Sequence, residues 1–315
     1  MSYDVALFAI GFALVTKGGG LFVDSSIQIG RILRIPRFIV GGTIVSLATT
    51  GPELVVSTTA STMGDSGIAL GNAIGSCICN IGLIVGAVAL IMPIELSRTE
   101  FLQRSAWMVG GGLLVVMFSW DLSLSGFDGA VLLAFAGFYL VWDLFGIIRA
   151  RASSEEKEED CESVGGLGRP VGWFSLGGLF IFIGSRMLVT SGQGLAEQLG
   201  VPSAIIGFSV IAIGTSLPEL VTGITAARKG VPDLALGNII GANVLNLFLV
   251  VGLSSTMLPL VIDPFSRWYA FPWLGLFFLA LVGVALKNGV LGRSVGIVLV
   301  MMYTLYVIGL VTIPV

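Results

Sequence analysis

Two matching octapeptides, each ending in proline and glutamate, occur inside the apolar body of this chain, and few architectures accommodate that. One copy runs Ser46-Leu47-Ala48-Thr49-Thr50-Gly51-Pro52-Glu53, the other Ala212-Ile213-Gly214-Thr215-Ser216-Leu217-Pro218-Glu219. The offset is 166 residues, since 53 + 166 = 219. Each copy sets two adjacent hydroxyls, a proline and a carboxylate in an uninterrupted hydrophobic segment. An ionisable group in such a segment is expensive to keep, so its presence is a functional signal.

The register extends well beyond the octapeptide. Residues 38–86 align with 204–252 without a gap, with 20 identities in 49 positions. Gly71-Asn72 matches Gly237-Asn238, Gly75 matches Gly241, and Asn80 matches Asn246. The chain is therefore an internal duplication.

The medium follows from composition. The 315 residues are 55% hydrophobic and only 11% charged, with a mean hydropathy of +1.00. Soluble domains carry roughly 25% charged residues. The apolar runs are continuous over about 20 residues or more, the length of a spanning helix; barrel strands would alternate polar and apolar. Ten spans are expected, at 5–26, 37–63, 67–92, 104–120, 127–148, 171–197, 204–228, 233–261, 268–286 and 293–313. The expected fold is an all-α membrane protein in which helices break at the membrane midplane. The first repeat is 1–148, an acidic linker covers 149–170, and the second repeat is 171–315.

Basic residues orient the chain. With the N-terminus outside, Arg31, Arg34 and Arg37 fall in the first cytoplasmic loop, Arg98 and Arg104 in the second, and Arg149, Arg151, Lys157 and Arg169 in the third. Arg228 and Lys229 fall in the fourth and Lys287 and Arg293 in the fifth, which places 13 of the 16 basic residues inside. The positive-inside rule then puts both termini outside a cell membrane. The N-terminal Met-Ser-Tyr-Asp lacks a basic signal-peptide region, so it is expected to lead into the first span. Five spans per half is an odd number, so the second half enters from the opposite side. Inverted repeats of this kind belong to secondary transporters.

Several chemistries are excluded. The chain has no histidine, which removes His-based nucleophilic catalysis and His-ligated metal sites. Cys77 and Cys79 fall on different faces of one helix and are read as packing residues, with Cys161 in the linker. Lys17 and Arg186 are read as span-end or interfacial residues that snorkel. Gly41, Gly71, Gly75, Gly237 and Gly241 are read as close-packing positions.

What remains is an oxygen-rich site. Pro52 and Pro218 should break their helices near Ala48 and Gly214, freeing carbonyls such as those of Ser46 and Ala212. Glu53 and Glu219 supply carboxylates. Thr49, Thr50, Thr215, Ser216 and Ser76 supply hydroxyls, and Asn80 and Asn246 supply amide oxygens. An all-oxygen, flexible, dianionic site suits a hard cation, Ca²⁺ above all, and also accepts Na⁺; Mg²⁺ fits less well.

These paired motifs resemble the two alpha-repeats of the cation/Ca²⁺ antiporter superfamily, and most of all its prokaryotic sodium/calcium exchangers. The resemblance is carried by Gly214–Glu219 and its looser partner Ala48–Glu53, followed by Gly71–Ser76 and Gly237–Ala242. It implies that Glu53 and Glu219, with oxygens of Thr49 and Thr215, hold Ca²⁺. It implies that Ser46, Ala212, Thr50, Ser216, Ser76 and the glutamates hold Na⁺, with Asn80 and Asn246 lining the centre. It further implies that the two ions compete and that spans one and six slide past the rest. The chain departs from the pattern at three places. Ala242 stands where the first half has Ser76, Asn246 occupies a position that is Asp in some relatives, and Gly51 replaces the leucine seen at Leu217.

The expected function is Na⁺/Ca²⁺ antiport, with H⁺-coupled exchange of Ca²⁺ or another cation as the alternative. An intramembrane acid protease and a passive cation channel fit the paired broken helices less well. No enzyme activity, cofactor, nucleic acid or protein partner is implied; the partners are Ca²⁺, Na⁺ and the lipid bilayer.

Overall fold

The computed structural model describes residues 2–155, 166–198, 212–264 and 266–312. It is almost wholly helical. Helix α1 is Ser2–Leu33. Helices α2 (Arg37–Thr49) and α3 (Gly51–Thr62) form one apolar unit bent by 42°. Then follow α4 (Ser66–Ile91), α5 (Arg98–Phe118) and α6 (Gly126–Glu155). In the second half come α7 (Gly168–Gln198), α8 (Ala212–Thr215), α9 (Leu217–Arg228) and α10 (Pro232–Met257). Helices α11 (Phe271–Asn288) and α12 (Arg293–Thr312) complete the described chain.

Among the described residues eight helices are long and apolar enough to cross a membrane, and the α2–α3 pair makes a ninth if it is one span. The chain is thus a multi-pass membrane protein. The expected seventh span, 204–228, falls partly outside the described residues and is seen only from Ala212 onward. The expected linker also differs. Helix α6 continues to Glu155, because Arg149, Ala150, Arg151 and Ala152 are good helix formers once past the apolar segment. The rest of the acidic run, and Cys161, lie outside the described residues.

Contacts between elements recur in matched pairs at the sequence offset. Gly64 and Gly230 both adopt a left-handed backbone, φ +81° and +73°, and turn the chain after α3 and α9 respectively. Asn80–Val85 and Asn246–Val250 are both π-helical turns within α4 and α10. Two-residue strands pair at two places: β1 (Ile94–Glu95) with β4 (Val290–Leu291), and β2 (Ser123–Leu124) with β3 (Leu260–Val261), both antiparallel. Cys77 and Asn243, equivalent at the 166-residue offset, touch each other directly. The thiol lies 3.8 Å from the Asn243 carbonyl, and Asn243 Nδ2 lies 3.4 Å from the Cys77 carbonyl. Residues that meet their own counterparts sit where the two halves cross.

Helices α4 and α10 form the core; 78% and 94% of their apolar windows are buried, against 22–39% for the other long spans. Close backbone approach holds α2 against α10. A Cβ on Gly41 would lie 2.2 Å from the Leu234 carbonyl, and one on Gly237 would lie 2.1 Å from the Phe38 carbonyl. Any side chain there would force the helices apart. Gly71 is different: it is exposed and meets nothing, so the packing expectation fails for it.

Two charged residues lie elsewhere than expected. Arg104, assigned to a cytoplasmic loop, is buried within α5 at 3% exposed and is ion-paired with Asp143 of α6. Its guanidinium also donates to the Tyr139 hydroxyl at 3.1 Å, which donates to the Gly42 carbonyl at 3.2 Å. Gly42 lies in the π-helical turn Gly41–Val45 of α2. Irregular backbone at membrane depth needs such partners. Lys17, read as a span-end or interfacial residue, sits on an exposed face midway along α1, away from either end of that helix. Arg186 is exposed and stacks over Phe182 at 5.8 Å.

Candidate cation site

Both motif helices break two residues before their proline. Thr50 has φ −76° and ψ −5°, and Ser216 has φ −85° and ψ 5°. The expected breaks near Ala48 and Gly214 are therefore displaced. Pro52 and Pro218 are the second residues of α3 and α9. Proline is tolerated in a first helical turn, where the missing N–H has no partner to lose. Each proline thus starts a new helix instead of kinking an old one. The Ser46 carbonyl is not freed: it accepts the Thr50 N–H at 2.9 Å. The carbonyl that loses its partner by chemistry is that of Ala48, four residues before Pro52.

This geometry puts Glu53 and Glu219 in the first turn of α3 and α9. The partial positive charge of a helix N-terminus favours an anion there. Both glutamates are 1% exposed, and they lie within electrostatic reach of each other. Neither takes part in an ion pair among the described residues. Glu53 Oε2 and both carboxylate oxygens of Glu219 are buried without a hydrogen-bond partner. Among the candidate residues, orphaned oxygens also belong to Thr50, Ser216, Asn80 and Asn246.

The remaining candidate residues interleave the halves. The Ser76 hydroxyl lies 3.5 Å from Glu53 Oε1 and 3.4 Å from the Thr215 hydroxyl. Ser216 faces Glu53, and Thr49 faces Glu219, in both cases without meeting hydrogen-bond geometry. Ser46 turns its hydroxyl back to the Thr43 carbonyl at 3.1 Å. Ala212 opens the described part of α8. Asn80 donates to Asn243 Oδ1 at 2.9 Å, which leaves its own oxygen as the free end. Ala242 is fully buried at the position matching Ser76. Asn72, Asn238 and Asn243 were not singled out by sequence; each has a partner more than 140 positions away, and the only signal was the duplicated Gly-Asn pair that holds Asn72 and Asn238.

Among the described residues no three His, Cys, Asp or Glu side chains cluster as metal ligands. The site has two carboxylates, surrounded by neutral oxygens. Buried carboxylates with no protein counter-charge cost several kcal/mol each. A hard cation with a large oxygen shell offsets that cost.

Comparison with known proteins agrees with this chemistry. The family model described as "Sodium/calcium exchanger protein" matches residues 3–145 and 169–312. The sodium/calcium exchanger MaX1 of Methanosarcina acetivorans is 31% identical over 98% of this chain and 98% of its own length. The inner membrane protein YrbG of Escherichia coli is 34% identical over 95% of this chain and 94% of its own. A solved structure of the sodium-calcium exchanger NCX_Mj, soaked with Na⁺ and Sr²⁺, superimposes with a TM-score of 0.83 at 28% identity, covering 99% of both chains. With a family match across both halves and relatives similar over nearly their full length, this chain belongs to the sodium/calcium exchanger family of membrane cation antiporters.

Proposed function

We propose that the protein exchanges Na⁺ for Ca²⁺ by alternating access, both ions competing for one site built on Glu53 and Glu219. The observation that carries this reading is the set of orphaned carboxylate oxygens, one on Glu53 and two on Glu219, buried at 1% exposure with no cationic side chain paired to them among the described residues. Two negative charges balance one Ca²⁺, or two Na⁺. Thr49, Thr215, Thr50, Ser216, Ser76, Asn80 and Asn246 complete the oxygen shell, with main-chain carbonyls near Ser46 and Ala212.

The matched contacts at the 166-residue offset support two inverted five-helix repeats, 1–148 and 171–315, joined by a linker over 149–170. The direct meeting of Cys77 with Asn243 supports a pseudo-two-fold axis running between α4 and α10. The ion pairs Lys229–Asp24, at 2.6 Å, and Arg37–Asp233, at 4.0 Å, gather the first and fourth basic loops at one end of the bundle. That end is the cytoplasmic one by the positive-inside rule, leaving both termini outside the cell membrane.

The test is Ca²⁺ uptake into proteoliposomes holding the full chain, driven by an outward Na⁺ gradient. Uptake that follows the Na⁺ gradient, and is lost in Glu53→Gln and in Glu219→Gln, supports the proposal. Uptake driven by a pH gradient and indifferent to Na⁺ would assign proton coupling instead, and retained uptake in the Gln variants would sink the site.

A further inference from the structure

Asn72 and Asn238 occupy matched positions in α4 and α10, four residues before Ser76 and Ala242. Both are buried, at 4% and 0% exposed. Each reaches the motif threonine of the other half. The Thr215 hydroxyl donates to Asn72 Oδ1 at 2.9 Å, and the Thr49 hydroxyl donates to Asn238 Oδ1 at 3.2 Å. We propose that these two asparagines are positioning residues for ion binding, each setting the direction of a threonine hydroxyl across the repeat boundary, and that they do so unequally. This rests on the ion-site reading given above.

A hydroxyl has one proton and two lone pairs. Once the proton is committed to an asparagine oxygen, only lone pairs remain to face a cation. At Asn72 that commitment is fixed. Its Nδ2 donates to the Ser57 hydroxyl at 2.9 Å and to the Glu53 main-chain carbonyl at 3.3 Å. A carbonyl only accepts, so the Asn72 amide cannot flip without losing that bond. The same side chain therefore ties Thr215 of one half to the backbone of Glu53 in the other.

Asn238 lacks this anchorage. Gly223 stands where the first half has Ser57, and Asn238 Nδ2 is buried with no hydrogen-bond partner. A flip of its amide breaks no bond at Nδ2. It would present a donor to Thr49 and leave the hydroxyl proton to its other acceptor, the Ser46 carbonyl at 3.5 Å. The Thr215 arm is thus preset for a cation, while the Thr49 arm takes its orientation from what occupies the site. Partners that orient metal ligands typically contribute about 10–100-fold to affinity.

The experiment is calorimetric titration of the purified full chain with Ca²⁺, for wild type, Asn72→Ala, Thr215→Val, their double variant, Ser57→Ala and Glu53→Gln, with thermal melting in the absence of ions as a fold control. Asn72→Ala and Thr215→Val should each weaken binding by about 10–100-fold, and the double variant should bind no worse than the weaker single. Penalties that multiply in the double variant, or an Asn72→Ala protein that binds like wild type while Glu53→Gln does not bind, would overturn the positioning role alone. Binding that survives Glu53→Gln would overturn the site and the positioning role together. If Asn72→Ala fails the melting control, Ser57→Ala decides. It removes one anchor of the Asn72 amide and should weaken binding a few-fold; unchanged affinity there would overturn the proposal.

Discussion

The two halves of this exchanger carry the same carboxylate on the same half-helix, yet they hold their surroundings differently. In the first half, Asn72 is pinned by Ser57 and the Glu53 backbone, and the π-helical turn of α2 is braced by Tyr139, Arg104 and Asp143. In the second, Asn238 is unpinned at its amide nitrogen, and Ala242 has no hydroxyl. The bracing triad has no second copy either. Gly129 and Gly296 make mirrored contacts with Gly252 and Gly86, which sets the offset for the last helix of each half at 167. At matching positions Arg104 becomes Ala270, Tyr139 becomes Tyr306 and Asp143 becomes Leu310. Instead, Tyr306 stacks on Tyr269 at 5.6 Å. The lesson is that duplication preserved the two glutamates and released their surroundings. Equal electrostatics with unequal support makes a first half with fixed geometry and a second half with fewer constraints.

That contrast is open to attack at four levels. The largest effect is expected from the glutamates. Glu53→Gln and Glu219→Gln should each lower Ca²⁺ flux by roughly 100-fold or more, since losing a ligand exceeds the loss of an outer-shell partner. Normal flux in one of the two would show that the carboxylates are not equivalent after all. Next is the brace. Arg104→Met leaves Asp143 buried without its partner, a loss of about 3–5 kcal/mol. Its melting temperature in detergent should fall sharply, and the double variant Arg104→Met, Asp143→Leu should recover much of it. No fall in the single variant would mean that the ion pair does not hold the first half.

A smaller effect is expected at Ala242→Ser, which restores the hydroxyl that Ser76 supplies on the other side. Na⁺ should compete with Ca²⁺ at a several-fold lower concentration; an unchanged sodium dependence would remove this position from the ion shell. The smallest belongs to Gly223→Ser, which gives Asn238 the partner that Asn72 already has. The new Cβ would sit 3.1 Å from Ile84 Cγ2 and 3.2 Å from Val88 Cγ2, so two methyl groups must shift slightly. Ca²⁺ affinity should rise about two-fold, in line with the net worth of one hydrogen bond less that strain. Weaker binding would mean that Asn238 needs its freedom.

Much of this was legible in the chain, because an ionisable residue in an apolar run is visible without neighbours. Glu53, Glu219 and the hydroxyls beside them announce themselves by being expensive, and the duplication gives their register. The helix breaks lie two residues from where the sequence suggests, because a proline in an apolar run reads as an interruption, whereas Pro52 and Pro218 begin a helix. Asn72 and Asn238 stayed hidden since the threonines they hold, Thr215 and Thr49, lie in the opposite repeat, and sequence distance carries no hint of that pairing. Arg104 misled for a different reason. A basic residue at the edge of an apolar segment has the same sequence appearance whether it faces water or a buried aspartate 39 positions later.

The Arg104–Asp143 pair also bears on how the protein is made. An arginine entering the bilayer on an isolated helix is opposed by several kcal/mol, roughly 2.5–3.5 at a helix centre on translocon scales. Its neutralising partner is on the next helix along the chain. Helices α5 and α6 therefore have reason to leave the translocon together, as a hairpin whose charges cancel before lipid surrounds either one. The second half, with alanine and leucine at those positions, carries no such obligation, and its last two helices are free to insert one at a time.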